Sequence, residues 1–143
     1  MTKWFSWSNS PTYLLDTNVI IDIFHHNTSV AERLAEVGYK SCALSVLTLY
    51  ELIRGAYNTK SEELFKHEMQ RIDIIRRSFT ILPLPEDPNL YGREWNRLRN
   101  QGTPVDDFDL IIGTTALVNG LILVTNNTKH LSRLEGLALE DWK

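Results

Sequence analysis

Four short apolar runs, each closed by a polar residue or a proline, constrain this chain more than any other feature. They are "TYLLD" at 12–16, "SCALSV" at 41–46, "FTILPLP" at 79–85 and "LILVT" at 121–125. Each has the length and the apolar content of a buried strand and is too short for a helix. Longer stretches with helical spacing separate them, so successive strands cannot pair through tight hairpins. The arrangement predicts an α/β fold: a central parallel sheet of four to five strands with helices on both faces. The fifth strand is expected at the edge, within the C-terminal "NNTKHLSRLEGLALEDW". In such sheets ligands sit at the carboxyl ends of the strands.

The intervening segments fill in the helices. Helical patterns follow the first strand to about Val37, and Ser45 is placed to cap "VLTLYELIRGAYN". Ser61 to Arg77 carries Leu64, Phe65, Met69, Ile72 and Ile75 at helical spacing, a face suited to the core, a second subunit or a partner protein. Pro88 to Asn100 is polar apart from Leu90, Trp95 and Leu98. After the turn "NQGTP", the stretch "VDDFDLIIGTTALVNG" is apolar on nearly every side, which predicts a central helix ended by Gly120. One domain over 12–143 accounts for all of this, preceded by an extension over 1–11 with Trp4, Phe5 and Trp7, expected to pack on the body or on another chain.

Composition narrows the function classes. The chain has 143 residues, 43% hydrophobic and 23% charged, enough for a core without staples. A single cysteine, Cys42, excludes an internal disulfide, fits a reducing compartment and reads as a small core residue. Neither a signal peptide nor a membrane span is visible, so a cytoplasmic protein is expected. The net charge of −3 carries no footprint of a duplex-DNA binder. It is compatible with an enzyme that turns nucleic acid over.

The acids carry the chemistry. Asp16 stands between "YLL" and "TNVIIDIF", two core-forming segments, where a carboxylate needs a partner or a metal. Helix capping is the plainer account of it. Glu51 lies in the second turn of the helix after strand two, and Asp109 opens the central helix. Fold topology brings all three to one rim, with Thr125, Asn126 and Asn127 just past strand four. Three carboxylates so gathered resist ionisation. A hard divalent cation, Mg²⁺ with Mn²⁺ as a substitute, relieves that conflict through oxygen ligands, waters and a substrate phosphate. Such a site favours phosphodiester hydrolysis. His25, His26, His67 and His130 are scattered and offer no zinc spacing.

"LLDTNVIID", "SVLTLYELIRGA" and "GTPVDDFDLIIGTTALVNGLILVTNNTKHLSRLEGLALEDW" resemble the three signature blocks of PIN-domain proteins, most closely VapC-type toxins of bacterial toxin–antitoxin pairs. The resemblance spans Tyr13 to Trp142. It implies a metal-dependent endoribonuclease, homodimeric, with an RNA substrate and a cognate antitoxin. Asp16, Glu51 and Asp109 match the metal-binding acids. Thr17 and Asn18 match the polar pair after the first acid, and Thr125 the hydroxyl residue ending strand four. Asn127 stands where the family often has a fourth acid, which removes a charge and one argument for a second metal. Asp107 is expected to support the site, and Asp106 to cap the helix.

Arg93, Arg97, Arg99, Lys129 and His130 are candidate RNA contacts, though a solvated face is the simpler account of them. Arg54 faces the site or pairs with an acid, and Asp22 is expected to be partly exposed. Three other readings compete. A phospho-signalling receiver needs an acid ending a middle strand and a lysine after a late one, and "TILPLPEDP" and "LVTNNTK" supply neither in place. A haloacid-dehalogenase-like phosphatase opens on Asp-x-Asp, where this chain has Asn18. A catalytically inactive PIN-like binding module is opposed by the three intact acids.

Overall fold

The computed structural model describes residues 10–143, so the extension with Trp4, Phe5 and Trp7 lies outside the described residues. Strands β1 (Tyr13–Leu15), β2 (Cys42–Ser45), β3 (Thr80–Leu82), β4 (Ile122–Val124) and β5 (Leu139–Glu140) form one sheet, ordered β3-β2-β1-β4-β5. Every pairing is parallel. The expected architecture is therefore present, including the short edge strand.

Strand alternation splits the core in two. Leu14, Ala43 and Leu123 point to one face, where they meet Leu98, Leu110, Ile112, Ala116, Leu131 and Leu134. Leu15, Cys42, Leu44 and Val124 point to the other, against Val19, Ile20, Val30, Ile72 and Ile75. Helices α1 (Thr17–Phe24), α2 (Thr28–Val37), α3 (Val46–Tyr57) and α4 (Glu62–Ser78) supply the second set. Helices α5 (Asn89–Asn100), α6 (Asp107–Asn119) and the short α7 (Thr128–Leu131) supply most of the first. Cys42 is fully buried, and burial pushes its thiol up to about 12, so it is an inert part of the core.

The helical stretch to Val37 is two helices. His26 takes a positive φ of 58°, and Asn27 starts α2 by accepting from Val30 N at 3.1 Å. Ser45 caps α3 through Leu47 N at 3.0 Å, as its position predicts. Gly120, at φ 66°, ends α6 in the left-handed conformation. Gly113 serves a different need. A Cβ there would come within 2.5 Å of Leu134 Cδ2, so its absence lets α6 lie close against the C-terminal loop.

The site follows from the strand order. The chain builds outward from β1 through β2 to β3, then returns to place β4 on the opposite side of β1. The connections therefore diverge between β1 and β4, leaving a crevice at their carboxyl ends. Asp16 follows β1 there, and Thr125 follows β4.

Candidate active site

Asp16 is the centre of this crevice and 3% exposed. Its Oδ1 accepts from Thr17 N at 2.8 Å, so it does cap α1. Its Oδ2 accepts from Thr125 Oγ1 at 2.8 Å and from Asn18 Nδ2 at 3.3 Å. Capping and a place at the centre of the crevice thus coexist in one carboxylate. Burial pushes Asp16 up to about 6; the Thr125 and Thr17 hydrogen bonds hold it down, while the charges of Asp109 and Glu51 raise it further.

Each of the other two acids is tethered by a neutral neighbour. Thr17 Oγ1 donates to Glu51 Oε1 at 2.6 Å and lies 3.0 Å from Thr48 Oγ1. Asn127 Nδ2 donates to Asp109 Oδ2 at 3.0 Å, while Asn127 N donates to Thr125 Oγ1 at 3.0 Å. Asp109 is raised above the usual carboxylate range by burial first, the Asn127 bond opposing. Asp106 adds to that rise and His130 opposes it. One chain of polar groups therefore joins Glu51, Thr17, Asp16, Thr125, Asn127 and Asp109.

Among the described residues no three His, Cys, Asp or Glu side chains close into a shared cage for an ion. Like charges repel, and each acid here turns to its own donor. Direct ligation by one or two carboxylates, with waters and a phosphate completing the shell, suits Mg²⁺. The all-oxygen donor set fits that ion and not zinc. Asn126 Oδ1 beside it is buried without a hydrogen-bond partner among the described residues, the kind of acceptor that a water or cation satisfies.

Some expected residues lie elsewhere. Asp107 accepts from Tyr91 Oη at 3.2 Å and is not joined to the acids. Asp106 holds the cap position of α6 but its side chain makes no capping bond. Arg97 grips Glu94 through Nε at 2.6 Å and Nη2 at 2.8 Å, and donates to the Arg133 carbonyl at 2.8 Å. With its guanidinium so occupied, Arg97 ties α5 to the C-terminal loop. Arg93 sits near enough to help lower Glu94, and Arg99 stacks on Trp95 at 5.1 Å. Lys129 is exposed in α7, next to His130.

Asp22, one face of α1, is partly exposed as expected, but it also accepts from Asn126 Nδ2 at 2.7 Å and pairs with Lys143 at 3.4 Å. Thr48 was missed by the sequence reading. Its spacing of three from Glu51 on one helix face is the signal that could have found it.

The site opens into a cleft of about 810 Å³ between α1, α3 and α4, lined by Thr17, Glu51, Arg54, Tyr57, Glu68 and Arg71 among others. No helix among the described residues is long and apolar enough to cross a membrane.

Comparison with known proteins agrees with this geometry. Residues 13–137 match the PIN domain family. The tRNA(fMet)-specific endonuclease VapC of Shigella flexneri is 36% identical over 135 residues, spanning 91% of this chain and 97% of that protein. Ribonuclease VapC1 of Haemophilus influenzae (strain R2866) is 30% identical over 133 residues, with the same coverage. The structure of VapBC-1 from nontypeable Haemophilus influenzae superposes with a TM-score of 0.80 at 30% identity, covering 92% of this chain and 98% of that one. A parallel sheet with its acids at the β1–β4 crevice, and a match over nearly the full length, have one reading: the chain belongs to the PIN domain family.

Proposed function

We propose that this protein is a metal-dependent endoribonuclease acting as the toxin of a toxin–antitoxin pair, held in check by a cognate antitoxin and working as a homodimer. The observation that carries the nuclease reading is the polar chain linking Asp16, Glu51 and Asp109 at the switch point of the sheet. The VapC relatives, which this chain spans almost end to end, support the RNA substrate and the toxin role.

In this reading Asp16, Glu51 and Asp109 hold Mg²⁺ or Mn²⁺, with Asn127 supporting Asp109 without adding charge. Bound there, the ion supplies positive charge to the phosphoryl group and makes water a better nucleophile at neutral pH. The protein supplies the rest. Thr125 and Thr17 fix the Asp16 carboxylate, and Thr17 also fixes Glu51. Water attacks phosphorus in line, a rim carboxylate accepts its proton, and the bond to the 3′ oxygen breaks. The products end in a 5′-phosphate and a 3′-hydroxyl.

The test uses purified, antitoxin-free protein with total bacterial RNA, and with initiator tRNA as a first defined substrate. Discrete cuts in Mg²⁺ or Mn²⁺ are expected, absent in EDTA and with Asp16→Asn. Metal binding seen by calorimetry without cleavage of any RNA would favour the inactive binding module instead.

A further inference from the structure

The acids at the rim repel the polyanion they are to cut, so a cationic group near them has particular value. An arginine is the natural source of such a group, and two of those already named are committed. Arg97 is locked to Glu94. Arg71 pairs with Glu68 at 3.3 Å and rests on the Phe24 ring at 5.2 Å. Arg54 is the exception. It follows Glu51 by three residues on α3, which places the two side chains on one helical face. It is exposed and lines the same cleft as Thr17 and Glu51. Its guanidinium reaches across to α6 and sits 5.7 Å from the centre of the Phe108 ring, the residue immediately before Asp109. Among the described residues it makes no ion pair, although Glu51 and Glu68 line the same cleft.

We propose that Arg54, carried on the Phe108 ring, binds an RNA phosphate flanking the one to be cut; the proposal rests on the ribonuclease reading and adds a substrate contact to it. The chemistry fits. A guanidinium presents a planar fork of donors that matches two phosphate oxygens at once. Stacking on an aromatic ring restricts that fork without using any of its N–H groups. The group stays permanently charged beside the acids, so it offsets their field at the point where the strand enters the cleft.

The test is binding of a fluorescein-labelled 12-nucleotide single-stranded RNA by fluorescence anisotropy, in EDTA so that no cleavage intervenes, across a range of salt concentrations. Arg54→Ala is expected to weaken binding about tenfold, as for a lost charged hydrogen-bond pair. It should also flatten the plot of log affinity against log salt by about 0.7, the share of one phosphate on a single strand. Arg54→Lys should keep the slope yet recover only part of the affinity. Phe108→Leu, which keeps the charge and removes the ring, should weaken binding about threefold with the slope intact. Arg76→Ala, on α4 outside the cleft, is the control and should match the wild type. Arg54→Ala binding within twofold of the wild type, at an unchanged slope, overturns the proposal and leaves the nuclease reading standing. A wild-type protein that neither binds nor cuts RNA overturns both.

Discussion

Asp16 holds its proton more tightly in the folded protein than in the unfolded chain, near 6 against an ordinary 3.8. A group of this kind adds stability at low pH that is lost as pH rises from about 4 to about 6. The difference of about two units corresponds to about 3 kcal/mol at neutral pH in metal-free protein. Asp16→Asn removes that penalty. The amide oxygen still accepts from Thr17 N, and the Thr125 hydroxyl can turn to accept from the new amide. Urea unfolding in EDTA at pH 7 should show the variant about 1–3 kcal/mol more stable, the gain vanishing near pH 4, while RNA cleavage disappears. A variant less stable than wild type at pH 7 would contradict this account of the site. Asn127 is the complementary case, because its amide donates to Asp109. Asn127→Asp replaces that bond with a like-charge contact and should lower the melting temperature in EDTA. Millimolar Mn²⁺ should restore it, as differential scanning fluorimetry would show.

Among the elements, α5 depends on one ion pair. Glu94 is 6% exposed, accepts both Arg97 bonds and also accepts from Glu135 N at 3.0 Å. The Arg97 hydrogen bond is the main cause of its lowered carboxyl. Such a group stabilises above its unfolded pKa, and that contribution is lost as pH falls through its folded value. Arg97→Met should therefore destabilise the protein at pH 7, with the gap to wild type narrowing as pH falls through the folded value of Glu94. The helix interior is more tolerant. Gly92 meets nothing within 4 Å of an added Cβ, so Gly92→Ala should stabilise by about 0.5–1 kcal/mol. Gly113→Val, facing Leu134 and Leu131, should destabilise by about 1–3 kcal/mol. Chemical denaturation reads both.

Elements of this kind are what a sequence exposes most clearly. The strands were legible because apolar runs ended at polar residues, α3 because Ser45 is placed to cap it, α4 because of its apolar spacing, and α6 because a long apolar stretch runs to Gly120. The break at His26 and Asn27 was not drawn from the sequence, although the polar run "HHNTS" at 25–29 and the capping residue Asn27 mark it. Asp16 and Thr125 could be placed at strand ends, Glu51 in the helix that leaves β2 and Asp109 in the first turn of the central helix. Arg97 could not be assigned, because its partner Glu94 lies only three residues away and reads as an exposed surface pair. Burial of Glu94 depends on the C-terminal loop, which no local pattern announces. Asp107 and Asp109 differ for the same reason: one helical turn carries both, and the neighbours, Tyr91 and Asn127, come from distant segments.

At the scale of the molecule, the central strand β1 has its two neighbours at very different distances along the chain. β2 begins at Cys42, but β4 begins only at Ile122. Long-range parallel pairing of this kind is slow to form. The acidic rim is drawn from residues 16, 51 and 109 and is closed by hydroxyl and amide groups at 125 and 127. A ribosome making this protein therefore carries an incomplete crevice until Thr125 and Asn127 have emerged. Prematurely terminated chains lack Thr125 and Asn127 and hold no assembled centre. Under the proposed function, an antitoxin therefore has a finished site to cover only after β4 and the segment behind it have been made.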